Sequence, residues 1–155
     1  YQLISKNMNI RVTIFEDNTN LRRGLTALIN GSDGFECAGA FGNCDNLVKN
    51  ITETKPDVVL MDIEMPGMDG LMTLKKIKEI DGSIVVIMLS AFATLENNIT
   101  AARLGAYTSI AKPFDLEEMT SIIKVAMVSE AEPKKTKAHL NKPKKTRKKL
   151  CRVKK

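Results

Sequence analysis

The stretch Val58-Val59-Leu60-Met61-Asp62-Ile63-Glu64-Met65-Pro66-Gly67-Met68-Asp69-Gly70 runs from four consecutive apolar residues into a carboxylate and then into a Pro/Gly turn. An unbroken apolar run of this length reads as a strand covered on both faces, the habit of parallel rather than antiparallel sheets. In an open α/β sheet, ligands bind just outside the carboxyl ends of the strands. Asp62 is therefore delivered to the edge where chemistry is placed. Taken alone, an Asp at such an end is more often a turn or helix-capping residue.

Similar short apolar runs recur at Ile10 to Phe15, Phe35 to Phe41, Ile84 to Leu89 and Tyr107 to Ala111. Between them the period changes to that of a helix. Leu21, Leu25, Leu28 and Ile29 form one stripe, Leu47, Val48 and Ile51 a second, and Leu71, Leu74, Ile77 and Ile80 a third. Leu95, Ile99 and Ala102 form a fourth, and Leu116, Met119, Ile122, Ile123, Ala126 and Met127 a fifth. Asp115 and Glu118 have capping-box spacing, while Gly31 and Gly105 stand where helices need a left-handed exit. Five strands alternating with five helices require crossover connections, hence a doubly wound α/β fold around a five-stranded parallel sheet.

The expected organisation is an N-terminal extension over 1–9, one domain over 10–128, and a basic tail or linker over 129–155. Charge sets the last boundary. Residues 1–132 carry 12 Lys/Arg against 18 Asp/Glu, whereas residues 133–155 carry 12 Lys/Arg and no acid, so the overall +6 hides an acidic body with a basic tail. Like-charge density and few apolar residues predict that the tail is disordered in isolation. The three cysteines Cys37, Cys44 and Cys151 show no metal spacing, which fits a reduced, cytoplasmic setting. No apolar run approaches the length of a membrane span, and Tyr1 to Asn9 lacks the layout of a secretion signal.

The other strand ends change the reading of Asp62. The first strand closes in Glu16-Asp17, the fourth in Ser90-Ala91 and the fifth in Lys112-Pro113-Phe114. Three converging carboxylates repel unless they share a hard cation such as Mg²⁺. Lys112 and Ser90 add a fixed positive charge and a hydroxyl donor at the same edge. Together these residues describe a site for a phosphoryl group, with Asp62 the best-placed nucleophile.

On these residues the chain resembles the receiver domain of bacterial two-component response regulators, the fold typified by the chemotaxis regulator. The resemblance spans residues 10 to 128 and rests on Glu16-Asp17, on the motif from Met61 through Gly70, on Ser90-Ala91 and on Lys112-Pro113-Phe114. It implies a flavodoxin-like strand order 2-1-3-4-5 and a switch in which Asp62 accepts a phosphoryl group from a sensor histidine kinase or phosphotransfer protein. It also implies that Asp17, Asp62 and the backbone carbonyl of Glu64 hold Mg²⁺, with Glu16 assisting through water. Lys112 and Ser90 would engage the phosphoryl oxygens, small Ala91 would leave them room, and Lys112-Pro113 would be a cis bond. Glu64 and Ala93 occupy positions that influence phosphoryl lifetime in the family. Where the family carries a switch aromatic three residues before the Lys, this chain has Ser109, with Tyr107 two residues earlier.

Two other functions draw on the same residues and on the tail. An aspartate-nucleophile phosphohydrolase also uses Mg²⁺, and Glu64 stands two residues after Asp62, where such enzymes carry a general acid. Yet the acid pair precedes the nucleophile here, and no cap insertion is present. The tail could instead serve nucleic acid, since Lys/Arg neutralise phosphates without reading sequence. It has no aromatic residue for stacking, so a solvated linker is the competing reading. Receivers often precede an output domain, and a phosphorylation-dependent homodimer or DNA contact through such a domain would follow from that arrangement. His139, alone in the tail, reads as a solvated side chain.

Overall fold

The structure, a computed structural model, describes residues 8–131. Most of the expected N-terminal extension and the basic tail beyond residue 131, with His139 and Cys151, lie outside the described residues.

Five strands form one parallel sheet: β1 (Ile10–Phe15), β2 (Phe35–Phe41), β3 (Val58–Asp62), β4 (Val85–Ser90) and β5 (Thr108–Ala111), in the order β2-β1-β3-β4-β5. The crossovers are α1 (Thr19–Gly31), α2 (Leu47–Thr54), α3 (Gly70–Ile80) and α4 (Leu95–Arg103), and α5 (Leu116–Ala131) follows the last strand. This is the expected doubly wound fold in its expected order. Side chains alternate along each strand, so β3 sends Val58 and Leu60 to one core and Val59 and Met61 to the other. Leu25, Ile29, Met119 and Ile123 from α1 and α5 close the first core, while Leu47, Ile51, Leu74 and Ile77 from α2 and α3 close the second. Each such burial contributes about 1.5–3 kcal/mol, which is what holds helices to both faces of the sheet.

Register places the site. Phe15 pairs with Met61, Asp62 with Leu89, and Ser90 with Ala111. The residues just beyond β1 and β5 and the last residues of β3 and β4 therefore emerge on one edge, close together. After β3 the chain makes a two-residue antiparallel ladder, Glu64–Met65 against Met68–Asp69. It turns at Pro66-Gly67, where Gly67 adopts φ +81°, a conformation that favours Gly. Asp69 then caps α3 by accepting the Leu71 N–H at 2.9 Å.

Several local expectations shift. Gly105 does take a left-handed φ of +101°, but Gly31 does not; the left-handed residue in that connection is Gly34, at φ +85°. The reason is that α1 ends on Ser32, whose N–H bonds Ile29 O and whose hydroxyl bonds Leu28 O, so the reversal is deferred. Asp115 accepts the Glu117 N–H at 2.9 Å, one residue earlier than a capping box requires. Val48 is 61% exposed, because α2 is anchored through Leu47, Ile51 and Thr54 instead. On α4 the expected inner stripe faces outward: Leu95 and Ile99 are exposed, and Ala101 is the buried residue. A small side chain lets α4 lie close to the sheet, which leaves the larger ones outside. Finally, α5 extends through Ser129 to Ala131, with the Ser129 hydroxyl donating to Val125 O at 2.9 Å.

Candidate functional site

β1 carries Glu16 to the edge of the sheet, fully buried, and exposed Asp17 follows. The corner is tied from both sides. Asn18 caps α1 by accepting the Leu21 N–H, and its own N–H donates to Glu16 Oε1 at 3.0 Å. Arg22, one turn into α1, donates from Nη1 to the Glu16 carbonyl at 2.7 Å. Glu16 Oε2 receives Lys112 Nζ at 2.7 Å. Both of its carboxylate oxygens are therefore engaged by fixed donors.

Asp62 closes β3 and is 1% exposed. Its Oδ1 accepts the Glu64 N–H at 3.0 Å and lies 3.2 Å from Lys112 Nζ. The turn that presents it has no slack: a Cβ on Gly70 would stand 2.6 Å from both Asp62 O and Ile63 Cα. Only glycine fits that close approach of α3 to the end of β3.

Lys112 follows β5, held by its N–H to Ser90 O at 2.7 Å, and the Lys112-Pro113 bond is cis. Burial opposes its charge, but the Glu16 and Asp62 carboxylates more than compensate and hold its pKa above the ordinary lysine value. One ammonium thus serves two buried carboxylates from two strands.

Glu16, Asp17 and Asp62 each present a carboxylate oxygen, all within 4.8 Å of one another. This donor set consists of hard, anionic oxygens and suits Mg²⁺. Without a cation it is electrostatically unsatisfied. Burial, and after it the nearby Glu16 charge, push the Asp62 pKa up to about 7 against the pull of the Glu64 N–H and Lys112. For Asp17 burial acts in the same direction, but hydrogen bonding with Asp62 and Glu16, aided by Lys112, together outweighs it and the pKa falls. Burial thus opposes charge on enclosed Asp62 more than on exposed Asp17.

Ser90, fully buried at the end of β4, reaches the same edge but is already engaged. Its hydroxyl donates to Glu64 Oε1 at 2.5 Å and accepts the Phe92 N–H at 3.0 Å. Glu64 Oε2 takes the Ala91 N–H at 3.1 Å. Burial alone would raise the Glu64 pKa, yet the donors from Ser90, Ala91 and Phe92 bring it below the ordinary glutamate value. The sequence points to Glu64 for its backbone carbonyl, for its place beside the phosphoryl site and as a general acid in the rival reading, but not as the partner of Ser90. No local spacing announces a contact that spans two strand ends.

Ser109, at the usual position of the switch aromatic, borders a cavity of about 250 Å³ lined also by Asn98, Ala102 and Ala106. Tyr107 also lines that space, while its hydroxyl reaches Ser129 of α5 at 3.4 Å.

Comparison with known proteins agrees with this geometry. The response regulator receiver domain model matches residues 12–124. Sporulation initiation phosphotransferase F of Bacillus subtilis is 36% identical over 119 residues, covering 76% of this chain and 93% of that protein. Regulatory protein AtoC of Escherichia coli is 38% identical over 119 residues, but the match spans 25% of AtoC. Among solved structures, the response regulator domain of Thermotoga maritima CheB superposes with a TM-score of 0.71 at 30% identity, covering 81% of this chain and 99% of that one. CheY in the CheX-CheY-BeF3-Mg complex of Borrelia burgdorferi gives 0.69 at 28% identity, covering 75% of this chain and 88% of that one. No helix among the described residues is long and apolar enough to cross a membrane.

Proposed function

Because the chain belongs to the response regulator receiver domains, a family of phosphorelay signalling switches, we propose that Asp62 is its phosphoacceptor. The observation that carries the assignment is the position of the Asp62 carboxylate, buried between one ammonium and two further carboxylates at the carboxyl edge of the sheet. An Asp62 oxygen attacks the phosphorus of a phosphohistidine, the P–N bond breaks, and its electron pair returns to the imidazole as the aspartyl phosphate forms. Lys112 holds the attacking carboxylate and meets the incoming oxygens. Asp17, Asp62 and the Glu64 backbone carbonyl would hold Mg²⁺, and Glu16 would act through water, its own oxygens being occupied by Lys112 and Asn18. When bound, the cation neutralises charge that develops on the transferred group.

The donor class is a sensor histidine kinase or a phosphotransfer protein, in the cytoplasm, and the chain itself is a switch rather than an enzyme for a small substrate. The phosphohydrolase reading loses ground because Glu64, its only acid two residues on, donates to nothing in the pocket and is held as an anion by β4. The domain over 10–128 stands as the switching unit, with the tail over 129–155 as linker or arm. The Borrelia CheY complex contains beryllofluoride and Mg²⁺, a pair that mimics an aspartyl phosphate. With Ser109 in place of the aromatic and the Tyr107 hydroxyl at Ser129 of α5, coupling to the α4, β5 and α5 face is weaker than in the family or rerouted; a large inward swing of Tyr107 in a beryllofluoride-bound structure would contradict this.

The test is incubation with Mg²⁺ and phosphoramidate followed by intact mass. One added phosphoryl group, lost in Asp62→Asn, is the expected result. No adduct on the parent chain would overturn the assignment.

A further inference from the structure

The Glu64 carboxylate takes the hydroxyl proton of Ser90 and the N–H of Ala91, and Phe92 N lies 3.4 Å from Glu64 Oε1. A serine hydroxyl has one proton to give. While Ser90 gives it to Glu64, it has none for an oxygen of a group on Asp62. The Ala91 N–H is committed in the same way. These are the groups at the end of β4 that face the edge where Asp62, Lys112 and Asp17 meet. Glu64 leaves that edge only two residues after Asp62, on the short antiparallel turn, and its side chain reaches Ser90 and Ala91 at the same edge. It is only partly buried, so a path to solvent is open to it, unlike Asp62 or Glu16, and leaving means giving up the Ser90 and Ala91 donors.

We propose that Glu64 is an internal anion that competes with the phosphoryl group: it holds the Ser90–Phe92 loop drawn toward the site in the unmodified domain and must vacate Ser90 and Ala91 before those donors can bind a group on Asp62. This rests on the reading of Asp62 as phosphoacceptor. Charge supports the exchange. A phosphoryl group brings close to two negative charges, and a carboxylate sharing its donors would be repelled toward water. Glu64 is thus a positioning residue that sets how tightly the site takes an anion. It also keeps the loop ordered in the unmodified state, so occupancy replaces one anion with another and moves the loop little.

Beryllofluoride at saturating Mg²⁺ is the probe, titrated by NMR into the parent chain, Glu64→Gln and Glu64→Ala. Release of the competitor predicts binding about tenfold tighter in Glu64→Ala, with a smaller gain in Glu64→Gln, which keeps an acceptor but loses the charge. A merely structural role for Glu64 predicts the opposite sign, because loosening the loop weakens binding. Before any probe is added, the Ala91 and Phe92 amides should shift and exchange faster in Glu64→Ala, and beryllofluoride should restore their protection. Unchanged or weaker binding by both variants, with the parent still binding, would overturn the competition and leave Asp62 as acceptor. Failure of all three chains to bind beryllofluoride would instead remove the phosphoacceptor reading, and this inference with it.

Discussion

Lys112 Nζ stands 3.2 Å from Asp62 Oδ1, although the two leave different strands, and the same ammonium holds the buried Glu16 at 2.7 Å. One lysine therefore supplies the fixed counter-charge for both enclosed carboxylates.

Removing it should be costly. Lys112→Gln keeps a donor on a side chain one atom shorter but leaves two buried carboxylates without a cation, and removing one partner of a buried pair costs about 3–5 kcal/mol. Partial solvent access to this lysine and protonation of Asp62 reduce that here to about 2 kcal/mol. Urea unfolding in EDTA should show the loss, and Mg²⁺ should recover part of it. Phosphorylation by phosphoramidate should slow at least about tenfold.

The raised Asp62 pKa has a signed consequence. Asp62 binds its proton up to about 7 in the fold against 3.8 as an ordinary aspartate, so between those values the folded state holds more protons than the unfolded. Its stabilising contribution is fully present below pH 3.8 and is lost as pH rises through about 7. Asp62→Asn, which has no charge to bury, should therefore be more stable than the parent by about 1–3 kcal/mol at pH 8 in EDTA. The gap should shrink toward pH 5 and on adding Mg²⁺. A gap that widens on acidification would reverse the sign and refute it.

Protons and Mg²⁺ compete for the same carboxylate. Mg²⁺ affinity, followed by NMR titration, should rise with pH through about 7 and flatten above it in the parent. Asp62→Asn should bind the ion more weakly and lose that pH dependence.

Gly70→Ala tests the turn behind the site. Its Cβ would lie 2.6 Å from backbone atoms, which cannot rotate aside. Overpacking of this kind costs about 1–3 kcal/mol, so the melting temperature should fall. Because the displaced atoms are those of Asp62 and Ile63, Mg²⁺ affinity should fall as well.

The outward face of α4 gives a prediction of the opposite kind. Leu95→Ser and Ile99→Ser should change stability by less than about 0.5 kcal/mol, since both side chains are exposed. Ala101→Leu, on the fully buried side, should cost at least about 2 kcal/mol. Chemical denaturation of the three variants reads which face of α4 carries its packing.

α4 also shows why sequence reading stops where it does. Leu95 and Ile99 have helical spacing, and spacing reveals a stripe without saying which way the stripe faces. A 100°-wide apolar stripe normally turns inward; here the tight approach of Ala101 overrides it. Gly31 fails for a related reason: a glycine near a helix end marks a place where the chain can turn, but the hydrogen bonds of Ser32 moved the turn to Gly34. By contrast β3 was legible because four apolar residues in succession have no other comfortable home than a strand buried on both faces.

Sequence alone determined the doubly wound sheet and the convergence of Glu16, Asp17, Asp62, Ser90 and Lys112, because strand and helix periods are local and a parallel sheet brings every carboxyl end to one edge. Tertiary structure alone decided which partner each of those residues keeps. Lys112 divides between Glu16 and Asp62, and Ser90 gives its proton to Glu64. Those pairings depend on distances across strand ends, and hydrogen-bond donors with one proton each must choose among acceptors that only folding brings within reach.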